Sequence, residues 1–491
     1  MMQSNHLTFT APQFQRLAPD QTDRLYWACL EVLERTGVRL YDQEALELLR
    51  RAGVTATEDN RVRIPAGLVE KARTTAPSQL TLYDRHGQAA MPVAGHRSFF
   101  GPGSDCLQII DHRTDQRRPA VLQDIVDAMT VADALEHIDF VMCMFLASDV
   151  PQAVVDRYQM AAMLQHTTKP IFYVTTDFSG CVDAVAMAEV VVGGADALRR
   201  RPLAACYVNV TTGLIHNQEA LQKLLYLSGK GLPFAYVPST QGGVTAPVTP
   251  AGALVVSQAG ALAGLVLSQL KREGAPFIMP GWGGNMLDMR TTVQPYADPD
   301  KRALVPDFVH ALGLPMFALA GCSEAKVVNQ QAGIEAALTL MTDVLCGAHI
   351  VHDLGYLESG LTGSLVQLAI CNEILSWLSH FVAPVDLSDE ALALDLIDEV
   401  GPDGNFLESD HTYAHFRERW YPHLFERDNY EGWQAAGGRT LAERAADRVK
   451  AILAEHEPEA LPVDMVQSLE EIVQRAAESA GVQPAAPPQP G

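Results

Sequence analysis

Residues 234–281 read FAYVPSTQGGVTAPVTPAGALVVSQAGALAGLVLSQLKREGAPFIMPG, and they hold one complete strand–helix–strand pattern. A short apolar run begins at Phe234 and ends in Ser, Thr and Gly, which is typical of a buried β-strand and its following turn. Thr249 and Pro250 then open a helix-patterned segment that continues to Lys271 and stops before Gly274. The next apolar run begins near Phe277, so the stretch predicts two parallel strands joined by a helix.

The same pattern recurs about every thirty to forty residues on both sides of this stretch. Helical segments between the apolar runs have recognisable ends, such as Gln218 to Lys230 before Gly231 and the run from Asn329 to Gly347. Strand-like runs begin near Phe99, Phe140, Ile171, Leu203, Phe234, Phe277, Met316 and His349. Eight β-then-α units predict an α/β fold of the (β/α)₈ TIM barrel type, in which functional side chains lie where the strands end.

The predicted barrel spans residues 99–360 and leaves sequence on both sides. Residues 1–98 predict an N-terminal extension of helices and small strands, and residues 361–480 predict a C-terminal helical region. Residues 481–491, GVQPAAPPQPG, are Pro-rich and predict a disordered tail.

Composition narrows the class of protein. The 491 residues carry a formal net charge of −23, so no basic surface is expected for a nucleic-acid partner. Eight scattered cysteines without a Cys-x-x-Cys pair predict free thiols in a reducing, cytoplasmic protein. The N-terminal residues show no basic-then-apolar signal, and the apolar stretch 251–270 contains polar residues and follows a strand-turn pattern. We therefore expect a buried helix there and no membrane partner.

Seven segments in a fixed order give the chain a specific resemblance. They are GPGSD (101–105), SDVP (148–151), HTTKP (166–170), VTPAGALVVSQAGALAGLVLSQL (248–270), QQAGIEAAL (330–338), CGAHIVHDLGYLESG (346–360) and HTYAHFRERWYPHLFERDNYEGW (411–433). Together they resemble the trimethylamine methyltransferase family of corrinoid-dependent methyltransferases. Because the chain has standard residues throughout, it is similar to the non-pyrrolysine branch, whose characterised members demethylate quaternary amines such as glycine betaine.

This resemblance implies transfer of a methyl group from a quaternary amine to the Co(I) corrinoid (cobalamin) of a separate corrinoid protein. No metal is then expected on this chain, and whether it forms a homo-oligomer stays open. A trimethylammonium group binds best among aromatic faces and carboxylates, because it has no N–H to donate. Strand-end positions that could supply such groups are Trp282, Asp149, Tyr356, His349, His352, Gln241, Asn209 and Glu358. Trp282, between glycines, is the foremost candidate, although a wall tryptophan would fit the pattern equally well.

Two other functions fit parts of the sequence. A metal-dependent hydrolase on the same barrel is suggested by His349, His352 and Asp353 and by the i, i+4 pair His411 and His415. Histidines three apart on a strand point to opposite faces, and His411 is not part of an HExxH motif, so the metal site is the weaker hypothesis. A non-catalytic betaine-binding protein also stays open at this point.

Overall fold

The computed structural model describes residues 12–281 and 284–485 and the short strand Met2–Gln3, and it has an α/β fold. The α-helices are Pro19–Glu31, Gln43–Arg51, Ala66–Thr75, Leu122–Ala134, Val155–His166, Phe178–Val192, Ala195–Arg200, Gln218–Lys230, Pro250–Lys271, Leu304–Leu312, Gln330–Cys346, Leu365–Phe381, Asp389–Leu392, Leu394–Val400, Asp410–His415, Tyr430–Ala435, Leu441–Glu455 and Val463–Ser479.

Parallel strands alternate with these helices along the middle of the chain. They are Arg97–Pro102, Ile171–Tyr173, Ala204–Val210, Phe234–Pro238, Met279–Pro280, Met316–Leu319 and Ile350–Leu354. Strand Arg97–Pro102 pairs with Ile350–Leu354. Ile350–Leu354 pairs in turn with Met316–Leu319, which pairs with Met279–Pro280. A second ladder joins Phe234–Pro238, Ala204–Val210 and Ile171–Tyr173. A parallel bridge between Ala235 and Ile278 links the two ladders.

The segment after Phe140 pairs with the neighbouring segments but does not form a regular strand. The prediction of a strand at this position is therefore corrected. Val141 forms a single parallel bridge to Ile171, and the Asp139 N–H donates to the Phe100 carbonyl (2.7 Å). The Asp139 carboxylate also accepts the Phe100 N–H (2.9 Å), so a side chain replaces a ladder partner at this position. Met144 then takes a left-handed conformation (φ 61°), which ends the extended backbone.

One fully buried apolar cluster lies between the parallel segments. It takes a side chain from each of the eight predicted strand positions: Phe99, Phe140, Phe172, Ala205, Ala235, Ile278, Phe317 and Ile350. The antiparallel hairpin Leu80–Tyr83 with Ala89–Val93 adds Leu82, Met91 and Val93 to the same cluster. The N-terminal extension therefore packs against the central core and is not a separate appendage.

Several helix boundaries follow from capping chemistry as the sequence predicted. Helix Gln218–Lys230 ends at Gly231 (φ 72°), and helix Gln330–Cys346 ends at Gly347 (φ 68°). Asn329 caps the latter helix, because its side chain accepts a hydrogen bond from the Ala332 N–H (3.2 Å). Asn217, the residue expected to cap helix Gln218–Lys230, makes no capping hydrogen bond, because its side chain accepts the Thr211 N–H instead (3.2 Å).

Helix Pro250–Lys271 is the one helix of the described residues that is long and apolar enough to cross a membrane. It packs inside the fold instead, with 78% of its most apolar window buried. Two glycines without side chains allow this close packing. A Cβ on Gly260 would collide with the Gly213 carbonyl, and a Cβ on Gly264 would collide with the Tyr236 ring.

Candidate functional site

An open cavity of about 350 Å³ lies at the carboxyl ends of four of the parallel segments. Asp105, Leu146, Val174 and Asn209 line it from these four successive ends, and Asn209 is exposed. Three residues here have backbones in the left-handed region that non-glycine residues rarely adopt: Asp105, Met144 and Asp353. Backbone strain of this kind is concentrated at functional sites, which makes these strand ends the candidate site.

Aromatic rings pack against one another near the inner apolar cluster, at the carboxyl ends of the strands. The Phe317 ring lies 4.4 Å from the His352 ring and 5.4 Å from the Tyr207 ring, centroid to centroid. Tyr207 also contacts the His352 ring at 5.8 Å. Because strand side chains alternate between two faces, Tyr207 points to the same side as Asn209, two residues further along the strand.

His352 and Asp353 form a buried pair at the end of the last parallel strand. Nδ1 of His352 lies 2.6 Å from the Ala318 carbonyl, which can only accept, so Nδ1 carries the proton and Nε2 is an acceptor. Nε2 lies 3.3 Å from Oδ1 of Asp353. Burial lowers the pKa of His352 to about 4, and burial raises the pKa of Asp353 to about 8 against the opposing effect of Lys301 and Arg302. Burial therefore favours the neutral form of Asp353 near pH 7, with its carboxyl group next to Nε2 of His352.

Tyr356 stands beside Asp353 because a glycine makes room for both. A Cβ on Gly103 would collide with the Asp353 carboxyl group and with the Tyr356 hydroxyl group. The Tyr356 hydroxyl donates to the Ser104 carbonyl, and burial together with nearby Cys106 and Asp353 raises the pKa of Tyr356. The loop 101–105 thus sets the spacing of two functional groups from another strand.

Tyr296 and Lys301 approach the same cluster from the loop before helix Leu304–Leu312. Burial, and then the Asp353 carboxyl group, raises the pKa of Tyr296, and burial lowers the pKa of Lys301 to about 8. The Lys301 ammonium group lies 5.5 Å from the centre of the Tyr296 ring and donates to the Pro295 carbonyl (3.2 Å). Glu324 holds this loop, since its carboxylate accepts the Tyr296 N–H (2.5 Å).

Asp105 supplies a second buried carboxyl group at the edge of the cavity. Its Oδ1 accepts a hydrogen bond from Nε2 of Gln159 (2.9 Å), and that amide also donates to the Phe145 carbonyl (3.0 Å). Burial raises the pKa of Asp105. The site therefore combines three tyrosines with two carboxyl groups whose ionised form is disfavoured by burial. We call these five residues the strand-end cluster: Asp105, Tyr207, Tyr296, Asp353 and Tyr356.

Four of the residues expected from the sequence lie at this end of the strands. Tyr356 belongs to the strand-end cluster, and Nε2 of His352 lies 3.3 Å from Oδ1 of Asp353 in that cluster. Asn209 lines the cavity, and Gln241 lies beyond strand Phe234–Pro238, where its backbone pairs with that of Asn285. Tyr207, Tyr296 and Lys301 were not anticipated, although the period-two spacing between Tyr207 and Asn209 was a usable signal.

Three other expected residues have structural contacts away from the cluster. His349 lies at the opposite end of its strand, where its ring contacts the Gly95 carbonyl (2.6 Å) and the Met316 N–H (3.2 Å). Asp149 caps helix Leu122–Ala134 by accepting the Leu122 N–H (2.8 Å). Glu358 forms an ion pair with Arg117 (2.9 Å) and accepts the Thr362 hydroxyl hydrogen bond (2.6 Å). Trp282 lies outside the described residues.

The histidine pair considered for a metal site is also away from the cluster. His411 and His415 have ring centres 4.4 Å apart, and Nδ1 of His415 lies 2.9 Å from the Glu418 carboxylate. Residues 12–281 and 284–485 contain no group of three His, Cys, Asp or Glu side chains arranged to hold a metal ion. All eight cysteines are buried and unpaired.

Comparison with known proteins assigns the family. A family model described as trimethylamine methyltransferase (MTTB) matches residues 1–481. The chain belongs to the trimethylamine methyltransferase family. The resemblance seen in the sequence motifs is thereby confirmed, and the chain is a methyltransferase of the MttB family.

Relatives of this methyltransferase differ in the amine that their names specify. Trimethylamine methyltransferase MttB of Desulfitobacterium hafniense (strain DSM 10664 / DCB-2) is 31% identical over 462 residues, which cover 93% of each chain. Glycine betaine methyltransferase of Desulfitobacterium hafniense (strain Y51) is 27% identical and covers 96% of this chain and 98% of its own length. The solved monomethylamine methyltransferase of Methanosarcina barkeri has a TM-score of 0.50 at 12% identity over 96% of this chain and 89% of its own. That last similarity concerns the fold alone.

Proposed function

We propose that this methyltransferase transfers a methyl group from a quaternary amine to the Co(I) corrinoid of a separate corrinoid protein, with glycine betaine as the first candidate substrate. The observation that carries the proposal is the strand-end cluster, in which the rings of Tyr207, Tyr296 and Tyr356 surround the buried Asp353. Aromatic faces and carboxyl groups attract a cation that has no hydrogen to donate.

The substrate's own charge removes the need for an acid catalyst. A quaternary nitrogen is positive before reaction, so its amine leaves as a neutral molecule when the methyl group is displaced. The work of the protein is to position the methyl group and exclude water from the cationic end. Tyr207 and Tyr356 provide ring faces for that end, and the Asp353 carboxyl group ionises when a fixed positive charge comes close.

The carrier of the corrinoid would approach from outside, at the exposed mouth of the cavity beside Asn209. This opening fits a large planar group better than the buried surroundings of Asp353 do. A reduced corrinoid supplies the nucleophile that accepts the methyl group. Asn209 and Gln241 carry amide donors at the rim that suit the carboxylate of a betaine, and we keep Trp282 as an expected aromatic wall of the site.

We also propose that the fold is a complete (β/α)₈ TIM barrel over residues 99–360, with extensions at 1–98 and 361–480 and a tail at 481–491. Support comes from the parallel pairings, which link the eight segments in sequence order, and from the inner cluster with one residue of each segment. Such a barrel places the strand-end cluster at its functional face. We further expect a cytoplasmic location, which fits the eight free thiols.

A panel of methylated amines tests the substrate class. Isothermal titration of the purified protein with glycine betaine, proline betaine, carnitine, choline, dimethylglycine and trimethylamine should give tighter binding for the quaternary compounds. The demethylated product dimethylglycine is the matched control, because it keeps the carboxylate and lacks the third methyl group that makes the charge on nitrogen permanent. A clear preference for trimethylamine would contradict the proposal.

A further inference from the structure

Lys223 is a buried lysine whose side chain reaches the cavity at the strand ends. It lies on helix Gln218–Lys230 and is only 6% exposed, yet it lines the cavity as Asn209 does. Its Nζ donates to the Thr175 carbonyl (2.6 Å). In the part of the chain that the structure describes, no carboxylate forms an ion pair with this ammonium group, which has three hydrogens to donate.

Lys169, a half-buried lysine, shows how such a side chain is satisfied by the fold alone. It donates to the carbonyls of Ala132 (2.7 Å) and Leu135 (2.8 Å), at the end of helix Leu122–Ala134. Lys223 has one such carbonyl and a cavity beside it. Because a buried cation without an anionic partner is costly, Lys223 is arranged to receive an anionic group from the cavity.

The carboxyl groups that line the same cavity already have donors of their own. Asp156 forms an ion pair with Arg157 (2.8 Å), and Glu219 accepts the Phe178 N–H (2.6 Å). Burial raises the pKa of Asp105 and so disfavours its ionised form. None of these three acids neutralises Lys223 by direct contact.

Lys223 also affects Asp177, but that carboxylate is engaged elsewhere. Burial opposes ionisation of Asp177, while the Gly180 N–H and then Arg157 lower its pKa more than Lys223 does. The carboxylate accepts the Gly180 N–H (2.6 Å) and lies 3.3 Å from the Arg157 guanidinium group. The Lys223 ammonium group therefore keeps donors for a ligand.

The two sides of the cavity attract opposite charges. Asp105, a member of the strand-end cluster, lines it from the end of strand Arg97–Pro102. Lys223 lines it from the other side, where helix Gln218–Lys230 begins without a side-chain cap. The start of a helix carries partial positive charge, so this side favours an anion. A substrate with two charged ends would lie with its cation towards Asp105.

We infer that Lys223 binds the carboxylate of a zwitterionic substrate and thereby makes the enzyme specific for betaines over choline-like cations. The inference rests on the proposed function, because it assigns the other end of the same quaternary amine. Asn217 adds a donor at the cavity, since its side-chain oxygen accepts the Thr211 N–H (3.2 Å) and its amide N–H₂ group can donate. A cation without a carboxylate would leave Lys223 without a counter-charge.

Calorimetric titration of the wild type and of Lys223→Gln with glycine betaine, γ-butyrobetaine and choline tests the inference. All three ligands carry a trimethylammonium group, and choline has a hydroxyl group in place of the carboxylate. We expect the wild type to bind the better zwitterion at least about tenfold more tightly than choline, because hydrogen bonds between charged groups are the strong ones. Lys223→Gln should abolish this preference by weakening zwitterion binding, and should change choline affinity by less than about twofold.

Lys230→Gln is the matched control. Lys230 ends the same helix and forms an ion pair with Glu189 (2.6 Å), so its replacement should leave the preference for zwitterions unchanged. Lys223→Met keeps the apolar stem and removes every donor, and it should behave as Lys223→Gln does. Urea unfolding establishes that each variant is folded, and retained choline binding shows that the cationic side of the site is intact.

A wild type that binds choline as tightly as both zwitterions would overturn the inference. So would folded Lys223 variants that keep the preference, or that lose affinity for choline and zwitterions to the same extent. In each of these cases quaternary amines still bind, so the proposed function stands. Dimethylglycine and trimethylamine separate the opposite case. If only these tertiary amines bind, the proposed function fails, whereas a preference for dimethylglycine that is lost in Lys223→Gln would still support the inference.

Discussion

Asp353 is the residue whose protonation connects the fold with the proposed chemistry. Its carboxyl group is buried, adopts a left-handed backbone conformation (φ 76°) and faces the acceptor nitrogen of His352. A neutral acid in the free enzyme avoids an uncompensated buried charge. When a quaternary ammonium group arrives, the same carboxyl can ionise and compensate the substrate's charge, so we expect binding to release a proton at neutral pH.

Replacing Asp353 with Asn should preserve the fold and weaken binding. The Asn amide can still donate to Nε2 of His352, but it cannot ionise. We expect Asp353→Asn to reduce affinity for the best quaternary amine roughly tenfold above pH 8, and less at pH 6, where the wild-type carboxyl stays protonated. Calorimetric titration measures both values. Asp343→Asn is the control, because Asp343 is another buried acid, with its pKa raised by burial to about 7, on a helix outside the cluster. Equal affinity of wild type and Asp353→Asn at both pH values would remove Asp353 from the site.

The same residue gives a signed dependence of stability on pH. In the folded protein its pKa is about 8, above the ~3.9 of an unfolded Asp. The folded state therefore holds the proton more tightly, and this contribution to stability is complete below pH ~4 and is lost as pH rises towards 8. Relative to the wild type, Asp353→Asn should gain free energy of unfolding across that range, by at most about 1.4 kcal/mol per pH unit, and level off above it. Urea unfolding at several pH values measures the difference. A difference that does not change with pH would contradict the assignment of a neutral Asp353.

At the scale of single elements, helices were more predictable than the second strand. Capping residues and glycines such as Asn329 and Gly347 act locally, so their effect could be identified from sequence. The Phe140 segment depended on a distant partner, since the Asp139 carboxylate takes the Phe100 N–H that a ladder would have used. A side-chain hydrogen bond between residues far apart in sequence leaves no periodic pattern in that sequence.

In the candidate site, too, residues set by local sequence were easier to predict than residues set by distant contacts. His352 and Tyr356 lie at the strand ends, as expected from the apolar run just before them. Asp149 accepts the Leu122 N–H at the start of a helix, and from sequence a capping carboxylate and a site carboxylate look alike there. Tyr296 and Lys301 lie in a loop whose path is fixed by Glu324, almost thirty residues away. Only the folded chain brings these residues together.

Glycines in helices offer a matched test of packing. A Cβ on Gly260 would collide with the Gly213 carbonyl, whereas Gly333 has nothing within 4 Å of the added atom. We expect Gly260→Ala to lower the free energy of unfolding by about 1–3 kcal/mol through overpacking. Gly333→Ala should raise it by about 0.4–1 kcal/mol by restricting the unfolded chain. Denaturant unfolding of both variants measures the contrast, and equal effects would mean that the helix Pro250–Lys271 does not pack as closely as described.

On the scale of the whole molecule, the two ends of the parallel strands differ. The strand-end cluster and the open cavity lie at one end, and residues 383–423 follow a helix that runs to the other end. The net charge of −23 suits a protein that attracts cationic amines, although it is spread over the whole surface.

Methyl transfer from glycine betaine to reduced free cobalamin, followed by the absorbance change of the corrinoid, tests the central claim most directly. Free cobalamin stands in for the partner's corrinoid, and trimethylamine and dimethylglycine are run in parallel. We predict methylation with glycine betaine or another quaternary amine, formation of the matching demethylated product, and a loss of rate in Asp353→Asn but not in Asp343→Asn. Methylation from trimethylamine with no transfer from any quaternary amine would contradict the account.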